Sequence, residues 1–166
     1  MSTAAERVAV IGAGNRWRRD DAVGLEVAAR LRALGIDARD AEGEAVELID
    51  LWEGAGSAIV VDAASSGAGP GTVHRIEAAS EPVPGALSSH STHTLGIAEA
   101  VELARALGRL PERVLLIAVE GSDFRAGQGL TPAVEAAVEG VVEAVAQEVA
   151  RASPAGATGS AGDGVE

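Results

Sequence analysis

The chain has 166 residues and a mass of 16.6 kDa, which is the size of one ordinary domain. Its 25 acidic and 13 basic residues give a formal net charge of −12, which argues against general binding of nucleic acids or anionic membrane surfaces. Lysine and cysteine are both missing from the sequence, which excludes Schiff-base enzymes, phosphate-loop NTPases, protein kinases, thiolate nucleophiles and disulfides. With three histidines, a metal site would have to use mostly carboxylate oxygens.

The first part of the chain predicts strands that alternate with helices. Residues 8–11 form a short apolar run that stops at Gly12, which is typical of a buried strand. Apolar residues then recur at helical spacing over 21–34, and Gly35 stands where a helix C-terminus favours glycine. The next predicted elements are a weak strand over 36–39, a short helix over 44–52 and a buried strand over 58–61 that ends at Asp62.

The second part continues the alternation. The predicted elements are a more exposed strand over 71–76, a helix over 95–107, a buried strand over 113–119 and a last helix from Thr131 to about Ala152. This pattern predicts a single three-layer α/β domain over 1–152, with a twisted, mostly parallel sheet and helices on both faces. Residues 153–166 lack periodicity and predict a disordered low-complexity tail. We find no signal peptide or membrane span, so we expect a cytoplasmic protein and, since the core explains the apolar content, a monomer.

Two glycines, Gly12 and Gly14, follow the first predicted strand. A dinucleotide-binding fingerprint would require a third glycine at the position of Trp17 and a helix that starts directly after the turn. Here the turn lengthens as far as Asp20 and Asp21, so the nucleotide fingerprint fails. A simple tight turn accounts equally well for the two glycines.

Asp62 stands at the carboxyl end of a fully apolar strand, where open α/β sheets bind ligands, although it could also cap a helix. His90 and His93 lie just before a predicted helix, whose dipole favours a neutral imidazole that can bind a metal. Capping is the alternative for this stretch as well. If Asp21, Asp62 and His93 share one rim of the sheet, the set suits a divalent ion such as Ni²⁺ or Zn²⁺.

Together these motifs resemble the hydrogenase maturation endopeptidases, and the resemblance extends from about Val8 to Val149. The matching segments are Gly12-x-Gly14-Asn15, Asp20-Asp21-Ala22-Val23-Gly24, Ile59-Val60-Val61-Asp62-Ala63, His93-x-Leu95-Gly96 and Gly129-Leu130-Thr131-Pro132-x-Val134. The resemblance implies a compact phosphorylase/hydrolase-like α/β fold. It also implies removal of the C-terminal extension of a nickel–iron hydrogenase large-subunit precursor once nickel has been inserted.

The resemblance further implies that Asp21, Asp62 and His93 bind the nickel that the substrate supplies, and zinc or cadmium could substitute for it. Well-known members carry glutamate at the position of Asp21, so the ligand here is one methylene shorter. Asp20 is an alternative ligand, or it pairs with a neighbouring arginine, Arg18 or Arg19. The family pattern also has an aspartate followed by two glycines.

Asp40 matches that aspartate, but Ala41 and Glu42 replace the glycines and resist a positive φ. We expect Asp40 to assist cleavage or to contact the substrate, with a solvated loop carboxylate as the alternative. His74 matches no family position, and its alternating strand favours a surface location.

The resulting hypothesis is metal-assisted hydrolysis by a peptidase, because neither a cysteine nor an ordered Ser–His–Asp set is present. The general base would be Asp40 or one of the two ligand carboxylates. A non-catalytic nickel-sensing chaperone on the same fold is the alternative function. A peptidyl-tRNA hydrolase with a similar glycine–asparagine turn is a third, and the net charge of −12 argues against its RNA partner.

Overall fold

A computed structural model describes residue 3 and residues 6–88 and 96–152 of the chain. Its strands form one five-stranded sheet in the order β2-β1-β3-β5-β4. The strands are β1 (Val8–Ala13), β2 (Ala38–Ala41), β3 (Ser57–Ala64), β4 (Val73–Glu77) and β5 (Arg113–Glu120). Four of them run parallel, and β4 pairs antiparallel with β5. The carboxyl ends of β1, β2, β3 and β5 therefore meet at one edge of the sheet.

The helices are α1 (Val23–Ala33), α2 (Ala45–Trp52), α3 (Gly85–Ser88), α4 (Ile97–Leu107) and α5 (Pro132–Ala152). A short 3₁₀ turn, Arg19–Ala22, lies directly before α1. Gly108, with a φ of +67°, ends α4 as a left-handed C-cap. None of these helices is long and apolar enough to cross a membrane.

The sheet separates two hydrophobic cores, because successive strand residues face opposite sides. Ile11 of β1 packs in one core with α2 and α4, whereas its neighbour Val10 packs in the other with α1 and α5. Small aliphatic side chains dominate both cores, and the largest buried side chain is Trp52 of α2. The three-layer α/β architecture predicted from the sequence is therefore confirmed, including the mostly parallel sheet.

Several boundaries differ from the sequence-based predictions. The first helix begins at Val23 rather than at Asp21, because the 3₁₀ turn takes up the intervening residues. Strand β3 continues beyond Asp62 to Ala64. The predicted tail over 153–166 lies outside the described residues.

Candidate functional site

The turn after β1 needs its glycines because it packs against the start of α1. A Cβ atom on Gly12 would collide with the carbonyl oxygen of Gly24, and one on Gly14 would collide with the carbonyl oxygen of Asp21. Gly14 also has a φ of +150°, which residues with side chains rarely adopt. Close backbone packing therefore explains both glycines, and it holds Asp21 at the carboxyl edge of the sheet.

Asp21 and Asp62 are brought together at this edge. Burial and, to a smaller extent, the negative charge of Asp21 together raise the pKa of Asp62 to about 7, against one hydrogen bond that favours the ionised form. That bond, of 2.8 Å, is donated by the N–H of Ala63. Its donor is the next residue in the same strand, so this contact does not support the helix-capping alternative for Asp62. The site thus contains two neighbouring carboxylates, of which one is held in a poorly solvated position.

The third predicted ligand, His93, lies outside the described residues, as does His90. Within 6–88 and 96–152, no group of three histidine, aspartate or glutamate side chains is arranged to hold a metal ion. The structure therefore brings together the two predicted carboxylates and leaves the position of the imidazole untested.

Asp20 is a buried anchor for the loop before α5. Its carboxylate accepts hydrogen bonds from the backbone N–H groups of Ser122, Asp123 and Thr131 at 2.8–3.0 Å. The hydroxyl of Thr131 donates a further bond at 2.9 Å. Burial alone would raise the pKa of Asp20, but these hydrogen bonds outweigh it and lower the pKa below its usual value. Asp20 is fully buried, so its carboxylate is committed to this loop.

The alternative pairing of Asp20 with a neighbouring arginine is not what the structure shows. Arg19 Nε lies 3.6 Å from a carboxylate oxygen of Asp123, and Arg18 donates a hydrogen bond to the backbone oxygen of Phe124. Sequence reasoning does not find the Asp20 anchor, because its partners lie more than 100 residues away in the chain.

Asp40 is exposed at the third position of β2, opposite Gly12 of β1. Arg32 donates a 2.9 Å hydrogen bond to its Oδ1, and Arg16 lies 3.8 Å from its Oδ2. The missing glycines of the family pattern cause no strain, because the positive φ of this segment, +99°, falls on Gly43. Asp40 is therefore an accessible carboxylate that is partly neutralised by arginine.

A cavity of about 460 Å³ connects Asp40 with Asp21 at the carboxyl edge. Its size is in the range of small-ligand sites. The remaining lining residues are Gly14, Asn15, Arg16, Trp17, Arg18, Leu25, Ala41, Glu42, Glu44 and Glu47. Two of the predicted site residues therefore share one opening, and Trp17 and Leu25 are wall residues that the sequence analysis does not assign to the site.

Glu120, at the end of β5, is a second buried carboxylate on this edge that the sequence analysis does not identify. It accepts hydrogen bonds from the N–H groups of Ser66 and Gly67 and from the hydroxyl of Ser66. His74 Nε2 lies 3.2 Å from its Oε2, so His74, which the sequence predicts on the surface of its strand, is half-buried and contacts this carboxylate. Burial raises the pKa of Glu120, but the hydrogen bonds outweigh it and lower the pKa. Glu120 thereby fixes the segment that follows β3.

Comparisons with known proteins agree with this architecture. A model of the family described as hydrogenase maturation protease (HycI) matches residues 36–148. The hydrogenase 2 maturation protease of Escherichia coli strain K12 is 30% identical over 137 residues, which cover 78% of the chain and 82% of that relative. The hydrogenase expression/formation protein HupD of Thiocapsa roseopersicina is 30% identical over 146 residues, which cover 78% of the chain but only 65% of HupD.

The solved structure of the hydrogenase maturating endopeptidase HybD from E. coli superposes with a TM-score of 0.75 at 27% identity. The match covers 87% of this chain and 93% of HybD. The family match over more than half of the sequence and the similarity to the E. coli protease show that this chain belongs to the hydrogenase maturation protease family and support its activity as an endopeptidase.

Proposed function

We propose that this peptidase removes the C-terminal extension of a nickel-loaded nickel–iron hydrogenase large-subunit precursor and recognises the nickel bound there. The observation that supports this most directly is the Asp21–Asp62 pair, in which burial and the neighbouring charge raise the pKa of Asp62 to about 7. Keeping both carboxylates ionised costs free energy. A divalent cation bound by the two groups would offset that cost.

In this proposal, Asp21, Asp62 and His93 bind the nickel that the precursor brings, so nickel is part of the substrate. Two carboxylates and one imidazole form a donor set that suits Ni²⁺, and Zn²⁺ or Cd²⁺ can occupy the same donors. The adjacent pair of carboxylates fits this set. His93 enters the proposal through its position before a predicted helix and through the sequence resemblance, since it lies outside the described residues.

Nickel bound beside the scissile peptide would position it and polarise either its carbonyl or a water molecule. A carboxylate of this chain takes a proton from the attacking water, whose oxygen bonds to the carbonyl carbon. The C–N bond breaks, and the proton passes to the departing amine, so that one water is consumed for each peptide bond. Asp40 is one candidate base, because it lines the same cavity as Asp21; the other is one of the ligand carboxylates.

The decisive experiment mixes the protein with nickel-loaded precursor and follows the intact mass of the precursor. We expect the mass to drop by a short C-terminal peptide, and we expect no change for precursor that lacks nickel. An unchanged mass despite stable binding would instead favour the non-catalytic nickel-sensing chaperone.

Variants test the assigned residues in the same assay. Asp62→Asn and His93→Ala should abolish processing, because each removes a nickel ligand. Glu148→Gln is the matched control, since it neutralises a buried carboxylate on α5 that lies outside the candidate site. Cleavage at the normal rate by both ligand variants would show that the ligand assignment is wrong.

The proposal also places the protein in the cytoplasm as a monomer, with neither a nucleic acid nor a membrane as partner. The net charge of −12 supports the expectation that neither a nucleic acid nor a membrane is a partner, since it repels phosphate-rich surfaces. Size-exclusion chromatography with light scattering, in the presence and absence of the precursor, measures the assembly state directly.

A further inference from the structure

The two tryptophans of the chain lie in opposite environments. Trp52 is fully buried in the core, whereas 59% of Trp17 is exposed. Only 2% of the residues are aromatic, so this exposed ring is a large apolar surface in a chain that has few of them. Tryptophan is one of the residue types that are enriched among the residues that dominate binding at protein interfaces.

The backbone that carries Trp17 is held in place. Its N–H donates to the side-chain oxygen of Asn15 at 2.9 Å, and its carbonyl accepts the N–H of Gly127 at 2.8 Å. The next residue, Arg18, forms a β-bridge with Gly127. The ring is therefore presented on a supported turn, which reduces the conformational entropy that binding would cost.

Trp17 and Leu25 line the same cavity as Asp21. Leu25 is half-buried and lies off the face of α1 that packs into the core, which is formed by Val23, Gly24, Val27, Ala28 and Leu31. A molecule that fills the cavity from Asp21 outward therefore meets two apolar side chains that the core does not fully cover.

Two carboxylates that line the same cavity, those of Asp40 and Glu47, already have partners. Asp40 is held by Arg32 and lies near Arg16, and Glu47 accepts the backbone N–H groups of Glu42 and Gly43. The apolar surface of Trp17 and Leu25 gains free energy from an apolar occupant, because the occupant removes it from water.

We propose that Trp17 and Leu25 form the docking surface for an apolar side chain of the precursor's peptide segment next to the scissile bond. This inference rests on the proposed function for the identity of the partner. The occupant is a peptide because the cavity begins at Asp21, where the proposed chemistry takes place, and its volume of about 460 Å³ accommodates a short segment.

Steady-state processing of nickel-loaded precursor tests the docking surface. Trp17→Ala and Leu25→Ala should each raise KM, roughly tenfold for Trp17→Ala, with little change in kcat. Trp17→Phe should retain most of the affinity because it keeps an aromatic ring. Leu34→Ala is the matched control, since Leu34 is an exposed leucine that follows α1 at its far end. An unchanged KM in both docking variants would overturn the proposal.

A second readout does not depend on cleavage. Protein labelled with 5-fluorotryptophan gives one ¹⁹F signal for each tryptophan, and substitution to phenylalanine assigns them. Unlabelled nickel-free and nickel-loaded precursor should each shift the Trp17 signal and leave that of Trp52 in place. With nickel-loaded precursor, cleavage without any shift of the Trp17 signal would refute docking and leave the peptidase function standing. A shift of the Trp17 signal without cleavage of that same nickel-loaded precursor would support docking and contradict the function.

Discussion

Two carboxylates at opposite ends of the sheet, those of Glu148 and Asp62, have opposite surroundings. Near the start of β5, Glu148 accepts hydrogen bonds from Arg113 at 2.8 Å and Arg75 at 2.6 Å, and both bonds lower its pKa. At the carboxyl edge, burial and the charge of Asp21 raise the pKa of Asp62 to about 7. The carboxylate of Glu148 is thus neutralised by two arginines at one end of the sheet, whereas that of Asp62 lies beside a second negative charge at the other end.

The difference separates an end of the sheet whose carboxylate is neutralised by arginine from the carboxyl edge, which carries the candidate site. A buried carboxylate that is bonded to guanidinium groups contributes to the stability of the fold under neutral conditions. A carboxylate that faces another carboxylate lowers stability until a cation or a proton arrives. On the carboxyl edge, Asp20 and Glu120 accept hydrogen bonds from backbone N–H groups, so the unfavourable pair of Asp21 and Asp62 lies among well-bonded neighbours.

The largest effect on stability should come from Asp20→Ala, which tests whether those neighbours support the site. The change leaves the N–H groups of Ser122, Asp123 and Thr131 without their acceptor, and we expect a loss of about 3 kcal/mol or more in the free energy of unfolding. Urea unfolding measures it. Asp20→Asn keeps one acceptor oxygen and should lose less, and a loss below about 0.5 kcal/mol in the alanine variant would contradict the anchoring role.

Asp62→Asn should stabilise the metal-free protein by on the order of 2 kcal/mol above pH 7. The pKa of Asp62 is about 7 in the folded protein, so the unfolded chain loses the Asp62 proton at a lower pH than the folded protein does. The free energy of unfolding is therefore highest in acid and falls as the pH rises toward 7. The amide removes that dependence. Urea unfolding at about pH 4 and about pH 8.5 should show a gain only at the higher pH. An equal effect at both values would mean that Asp62 is not in an unfavourable site.

Glu148→Gln should have the smallest effect, a loss of about 1 kcal/mol at neutral pH, because 40–45% of the side chains of its partners Arg75 and Arg113 is exposed to solvent. The pKa of Glu148 is shifted downward, whereas that of Asp62 is shifted upward. The contribution of Glu148 is present at neutral pH and is lost as pH falls. Thermal unfolding of the variant and the parent protein across acid pH measures this, and a growing difference in acid would contradict the assignment.

Sequence reasoning finds the parts of the molecule that depend on local pattern. Apolar runs predict β1, β3 and β5, and the carboxyl ends of neighbouring parallel strands place Asp21 and Asp62 on one edge. It does not find contacts between distant segments. The anchor from Asp20 to Thr131 joins residues 111 positions apart, and no periodicity indicates it. In the sequence, Trp17 likewise attracts notice only because it stands where a nucleotide fingerprint would require glycine. The exposure of its side chain depends on how the chain folds around it and cannot be predicted from this position.

The cavity beside Asp21 has walls from both helical layers. Leu25 belongs to α1 and Glu47 to α2, and these helices pack on opposite faces of the sheet. The sheet therefore lies between the two walls, and the packing of α1 and α2 on its opposite faces holds them apart. Under the proposed function, substitutions in either wall change which peptide is accepted without altering the sheet that separates the two walls.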